Sequence, residues 1–251
     1  MLRHVGEATY ERLPALLEPI EEELVRTLAP QAGDRCLDLV TGTGAIALRA
    51  ARAGADVTAI DSTDLIAEKL RRDAEDAGLA VTVDVGNVEY LPYEDACFDV
   101  VASNFGLVYA EDHANVAAEV ARVTCSGGRL GFTAWRPNPK LGELYRRFTD
   151  EPIQGREAYE WGREDHVEDM LGEEFELDFH DGTLWIDAES GEELWELFSR
   201  TAAPVASVLR RLDAAQAEEF HRAFVELYEQ YRDGDGIRAP RRYLLVVGVR
   251  R

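Results

Sequence analysis

The sequence predicts an α/β protein built on a doubly wound, mostly parallel sheet with helices on both faces. Three observations carry this expectation. Cys36, Leu37, Leu39 and Val40 form the short apolar run that a strand buried on both faces needs. Gly42 and Gly44 follow at once, and Ala45, Ile46, Ala47 and Leu48 open a helix-forming stretch, so strand, turn and helix arrive as one unit. From residue 35 to residue 135 short apolar runs then alternate with helical patterns, the order expected of a parallel sheet with crossover helices.

Each element follows in turn. In residues 1–30, Leu13, Leu16, Leu17, Ile20, Leu24 and Leu28 recur at helical spacing, and Pro14 and Pro19 read as helix starts, giving two short helices. Arg35 to Asp61 reads as strand, helix, strand, with Gly54 closing the helix. Asp64 to Ala77 is a second helix with Leu65, Ile66 and Leu70 inward, and Leu79 to Val85 is a third strand near the sheet edge. Cys97 to Ser103 is the fourth strand, Glu111 to Val123 a helix, and Arg129 to Trp135 the fifth strand. Pro137 and Pro139 mark a boundary. Residues 136–240 then read as a substrate cover and helical elaboration, with Glu174 to Ile186 as a strand pair or one bent strand turning at His180–Gly182. Gly191 to Tyr231 is helical and 241–251 a final strand. The expected organisation is one integrated domain: a cap at 1–30, a binding core at 31–135, the cover at 136–240 and the closing strand at 241–251.

In an open parallel sheet, ligands bind beyond the carboxyl ends of the strands, so the loops after Val40, Asp61, Val85 and Ser103 converge. Gly42 and Gly44 let a ligand lie against bare backbone, and the unpaired N–H groups of the following helix favour an anionic or polar group. Asp38 precedes the glycines, where a nucleotide-redox fold has an apolar residue. Asp61 lies about 20 residues past the first glycine, placed to accept hydrogen bonds from ribose hydroxyls.

Leu37-Asp38-Leu39-Val40-Thr41-Gly42-Thr43-Gly44 resembles the first motif of the class I S-adenosylmethionine-dependent methyltransferases. The resemblance continues through Ala59-Ile60-Asp61, Gly86-Asn87-Val88-Glu89, Phe98-Asp99-Val100-Val101 and Gly127 to Thr133, covering roughly Leu28 to Pro137. Within that class the sequence is similar to small-molecule methyltransferases of the quinone-biosynthesis type. The resemblance implies a Rossmann-like sheet of about seven strands, the last antiparallel, and S-adenosyl-L-methionine as cofactor, with S-adenosyl-L-homocysteine as product. It assigns cofactor contacts to Asp38, Thr41, Gly42, Gly44, Asp61, Ser62, Asn87, Val88 and Asn104. Asn87 stands where the family usually has an aspartate that accepts from the adenine amino group, and its amide keeps one carbonyl acceptor for that contact. The Val88 N–H is placed to donate to the adenine ring, and Leu65 to pack on the purine face. The family likeness also makes 1–30 a cap, with Tyr10 reaching the methionine end.

Composition excludes several classes. The net charge of −22 repels polyanions, so nucleic acid is not the expected substrate, and anionic membrane surfaces are disfavoured too. Met1 to Glu7 lacks the apolar core of a secretory signal, and the longest aliphatic stretch, Tyr243 to Val249, is too short to span a bilayer. Cys36, Cys97 and Cys125 are odd in number and widely spaced, with neither metal nor disulfide pattern. His4, His113, His166, His180 and His221 show no ligand spacing, so no metal is expected. A cytoplasmic monomer or homodimer acting on a small molecule fits these bounds.

The cofactor of this class carries the reactive sulfonium, so the protein's task is alignment and exclusion of water, and a base is needed only if the acceptor must lose a proton. His113, Tyr109 and His166 are candidates for that role, and each histidine has a competing reading as a surface or capping residue. Trp135 and Trp161 are candidate acceptor-pocket walls, or ordinary packing aromatics. Two alternatives stand beside methyl transfer to a small organic acceptor by direct displacement: a non-catalytic module that binds the same cofactor, and an NAD-type oxidoreductase on the same glycine turn. Asp38, the missing third glycine and Gly86-Asn87-Val88 argue against the oxidoreductase.

Overall fold

The computed structural model describes residues 7–149 and 157–251, with side chains described from residue 15 onward except at 157, 158 and 203. Its helices are α1 (Glu7–Leu28), α2 (Ala45–Arg52), α3 (Asp64–Asp76), α4 (His113–Val123), α5 (Pro139–Arg146), α6 (Glu164–Leu171), α7 (Gly191–Thr201), α8 (Ala203–Leu209) and α9 (Ala214–Glu229). The strands are β1 (Arg35–Leu39), β2 (Asp56–Asp61), β3 (Val81–Val85), β4 (Phe98–Asn104), β5 (Thr124–Trp135), β6 (Phe175–Ala188), the two-residue β7 (Arg232–Asp233) and β8 (Gly236–Arg250). They form one sheet in the order β3-β2-β1-β4-β5-β8-β6, with β7 paired to β8. The first five strands are parallel, and β8 runs antiparallel between β5 and β6. The expected doubly wound sheet with an antiparallel last strand is therefore the fold.

The apolar periodicity decides which face each helix covers. On one face Ile20, Leu24 and Leu28 of α1, Ile46 and Ala47 of α2 and Leu70 of α3 bury against Val57, Ala59, Val100 and Leu245. On the other, Val116 and Val120 of α4 and Val167 and Leu171 of α6 bury against Leu37, Leu39, Val101, Phe132 and Val246. A third cluster joins α5, α7, α8 and α9 through Leu141, Phe198, Val208, Phe220 and Phe224 to Ile186, Ile237 and Ala239. Those last residues explain why the cover stands where it does. β5 ends at Trp135, opposite Tyr243, whereas β6 and β8 stay paired out to Ala188 and Ile237. The two strands thus project about 20 Å beyond the end of β5 and carry the helical cover.

Two sequence expectations fail here. α1 is one helix, not two: it runs through Pro14 and Pro19. Pro19 lies on the exposed face, while Ile20, Leu24 and Leu28 hold the opposite face in the core, so the lost backbone donor is outweighed by burial. β6 is one continuous strand with no turn at His180–Gly182. Gly182 is there for close approach: a Cβ at that position would lie 2.0 Å from Tyr243 Cζ.

Candidate functional site

The glycine turn after β1 is held in an uncommon backbone state. Val40, Gly42 and Gly44 have φ of 53°, 53° and 77°. A β-branched residue at positive φ is costly, and Val40 keeps it because the neighbouring loop presses on it. In that loop, after β4, Phe105 also has positive φ (55°). A Cβ on the next residue, Gly106, would lie 2.6 Å from Val40 Cβ and 2.9 Å from Leu39 O, so only glycine lets the two strand ends meet this closely.

Asp38 holds the turn from behind. Its Oδ2 accepts from Thr41 Oγ1 and from the Ala47 N–H at 3.1 Å, tying the turn to the first residues of α2. The side chain is 3% exposed. Burial pushes the Asp38 carboxyl up to about 7, against the pull of those two hydrogen bonds. Asp38 and Thr41, both read from sequence as cofactor contacts, therefore lie beneath the turn and shape it instead of lining a cleft.

In front of the turn lies a cleft of about 330 Å³ at the ends of β1, β2 and β3. Asp61, Ser62, Asn87 and Val88 of the sequence-chosen set line it, with Val40, Ile60, Gly86 and Glu89. Asp61 Oδ2 accepts from the Gly42 N–H at 3.1 Å, and its Oδ1 accepts from Thr63 N–H and Oγ1 at 3.2 and 3.1 Å. A carboxylate has about four acceptor positions, so one is left over for a ligand hydroxyl. Asn87 Oδ1 accepts from the Glu89 N–H at 3.0 Å in a local turn, leaving its second lone pair and its NH2. Leu65, expected inward, is 74% exposed on the first turn of α3. The Cβ position of Gly42 meets nothing closer than Val40 O at 4.0 Å, so the turn opens onto free space. A sugar-sized acceptor, an amide edge, apolar Val88 and bare backbone together suit an adenosyl group.

The other candidates divide. Tyr109 lines the same cleft and is 69% exposed, which puts it at the Asn87 end. Asn104 ends β4, where its Oδ1 accepts from Thr133 Oγ1 at 2.6 Å. His113 and His166 are brought together, Nδ1 to Nε2 at 2.9 Å, where α4 meets α6, and neither lines the cleft. Trp161, expected as a pocket wall, is 0% exposed and packs on His113, His166 and Phe132. Its size draws it into the core, where none of its surface is exposed. Trp135 is partly exposed, stacked on Phe105 with ring centroids 3.9 Å apart. The side chain of Tyr10 lies outside the described residues.

Sequence reasoning missed Glu89. Its Oε1 accepts from the N–H groups of Glu111 and Asp112 at 2.7 and 3.0 Å, which hold its carboxyl below the usual range and staple the loop after β3 to the loop after β4. The residue stood beside Asn87 in the motif, but its partners are more than twenty residues away, so no local pattern announced them. Among the described residues no three histidines, cysteines or carboxylates gather as a metal site.

The fold is an α/β sheet of the methyltransferase type with a cleft at its strand ends, and comparison with known proteins agrees. Residues 37–132 match the model of the methyltransferase domain family. An uncharacterised protein of Mycobacterium tuberculosis is 35% identical over 162 residues, 62% of this chain and 58% of that protein. The demethylmenaquinone methyltransferase of Thermus thermophilus is 37% identical over 120 residues, 46% of this chain and 54% of the enzyme. The chain thus spans little more than half the length of these curated relatives. Among solved structures, the geranyl diphosphate C-methyltransferase of Streptomyces coelicolor, in complex with Mg2+, geranyl diphosphate and S-adenosyl-L-homocysteine, superposes with a TM-score of 0.58 at 20% identity, over 100% of this chain and 88% of that one. Residues 37–132 thus form a methyltransferase domain, set in a mostly parallel sheet of the methyltransferase fold.

Proposed function

We propose that this protein binds S-adenosyl-L-methionine in the cleft before the glycine turn and transfers its methyl group to a small organic acceptor by direct displacement. The observation that carries the reading is the meeting of Val40, Asp61 and Asn87 around one cleft at three adjacent strand ends, with the glycine turn tied to it by the Gly42 N–H on Asp61. Asp61 would accept from the ribose, the Val88 N–H and the Asn87 amide would meet the adenine edge, and Leu65 and Tyr109 would cover the purine. Bound there, the cofactor supplies an activated methyl group, so the chain's own work is alignment and exclusion of water. The acceptor would sit between Trp135 and the cover helices. His113 and His166 do not line the cleft, and no proton transfer through them is needed for this reading. The negative charge of the chain is no obstacle to a cationic cofactor and disfavours nucleic acid. Among the described residues no helix is long and apolar enough to cross a membrane, in keeping with the cytoplasmic placement we propose.

Calorimetric titration with S-adenosyl-L-homocysteine and with NAD in parallel tests the cofactor. Saturable binding of the first and none of the second is expected; the reverse overturns the reading. An acceptor screen scored by S-adenosyl-L-homocysteine release then separates an enzyme from a binding module.

A further inference from the structure

The chain carries 49 acidic residues, and its arginines use them. Of those that are more than two thirds withdrawn from solvent, Arg49 meets Glu18 and Glu21, Arg122 meets Glu119 and Asp95, Arg129 meets Asp34, Arg136 meets Glu164 and Asp181, and Arg250 meets Glu174. Arg241 departs from this. It is partly buried in β8, yet its surroundings among the described residues hold no carboxylate. It has aromatic groups instead. The guanidinium lies 4.4 Å from the centre of the Trp135 ring and 5.4 Å from that of Phe198, hydrogen-bonds Tyr159, and has Tyr145 and Tyr228 close by. Burial raises the phenols of Tyr145 and Tyr228, so neither of these two offers a countercharge.

The position matters as much as the missing acid. Arg241 lies two residues before Tyr243, the partner of the last residue of β5. That is about 7 Å beyond the sheet's carboxyl end, on the stretch of β8 that carries the cover. One stack leads from there to the glycine turn: Arg241 on Trp135, Trp135 on Phe105, and Phe105 beside Gly106, which touches Val40 of the cleft. A guanidinium is always charged, and its rigid fork matches a carboxylate or phosphate in two parallel hydrogen bonds. Burying it with no partner is costly unless a ligand supplies one.

We propose that Arg241 is the anion anchor of the acceptor site, taking a carboxylate or phosphate oxyanion of the methyl acceptor while the acceptor's flat or apolar body lies along Trp135. This rests on the methyl-transfer reading only for the word acceptor. The anion preference belongs to the chain itself. A protein of net charge −22 repels small anions elsewhere on its surface, so an anion that binds well has to find a local cation.

The test uses the full chain and three probes: benzoate, phenyl phosphate and the uncharged benzamide. Binding is read by calorimetry and by quenching of tryptophan fluorescence, with Trp135→Phe identifying the reporting ring. Benzoate or phenyl phosphate should bind at least about tenfold more tightly than benzamide, and the stronger of the two anions tells carboxylate from phosphate. Arg241→Met should remove that preference, and Arg241→Lys should keep part of it, with S-adenosyl-L-homocysteine affinity unchanged in both. Equal binding of benzamide and both anions to the wild type, or an anion preference that survives in Arg241→Met, overturns the proposal. The wild-type comparison and Arg241→Lys decide the matter even if Arg241→Met does not fold. If S-adenosyl-L-homocysteine fails to bind while the anion preference holds, the methyl-transfer reading falls and this one stands.

Discussion

Asp38→Asn should leave the ligand-free protein as stable as before or more so above neutral pH. In the unfolded chain this carboxyl loses its proton near pH 4. In the folded chain burial holds it up to about 7. Between those values the unfolded state binds fewer protons than the folded one, so the contribution of Asp38 to stability is full below pH 4 and is lost as pH rises towards 7. A shift of about three units sets a ceiling of about 4 kcal/mol. Asparagine has nearly the same shape and can still accept from Thr41 Oγ1 and the Ala47 N–H through its carbonyl oxygen, without a charge to bury. Urea unfolding of both proteins at pH 5 and pH 8 measures the effect. The variant should gain about 1–3 kcal/mol on the wild type between the two pH values. Glu21, which burial raises to about 6, titrates in both proteins and largely cancels in the difference. A variant that loses more than about 1 kcal/mol at pH 8, with a gap that does not move with pH, would show that the turn needs the charged carboxylate and would refute the argument.

Three more outcomes can be checked. Asp61→Ala removes the acceptor for the Gly42 and Thr63 N–H groups and for the ribose; S-adenosyl-L-homocysteine affinity by calorimetry should fall about 10- to 100-fold while far-ultraviolet circular dichroism stays the same. Gly44→Ala puts a Cβ 2.1 Å from Leu70 Cδ1 at φ 77° and should cost about 2–4 kcal/mol in chemical unfolding, part of which Leu70→Ala restores in the double variant. His166→Ala opens a hole beside Trp161 and should lower stability by about 1–3 kcal/mol, with methyl-transfer rate changed less than about twofold; a collapse of rate in a stable variant would return the histidine pair to the catalytic candidates.

The core was legible because its signals are local. A buried strand, two glycines and a helix start within twelve residues leave few folds open, and Asp61 and Asn87 sit at fixed places relative to strand ends. What could not be read depends on partners far along the chain. Asp38 looks like a ligand group in one dimension; only its hydrogen bonds to Thr41 and Ala47 show it bound up beneath the turn. Trp161 looks like a pocket wall until Phe132, nearly thirty residues earlier, is seen against it. Gly182 reads as a turn by residue type, whereas its reason is the ring of Tyr243, sixty-one residues later. Arg241 gave no signal, because what sets it apart is the set of rings around it, Trp135 more than a hundred residues earlier among them.

The placement of β8 has a consequence for biosynthesis. Until Gly236–Arg250 has left the ribosome, β5 ends the sheet as a bare hydrogen-bonding edge and β6 has no neighbour to pair with. The nascent chain can assemble the half that carries the glycine turn early, yet the wall that bears Arg241 arrives with the strand that shuts the sheet. A stalled or shortened chain would keep the turn and its cleft but leave two strands without the one that joins them.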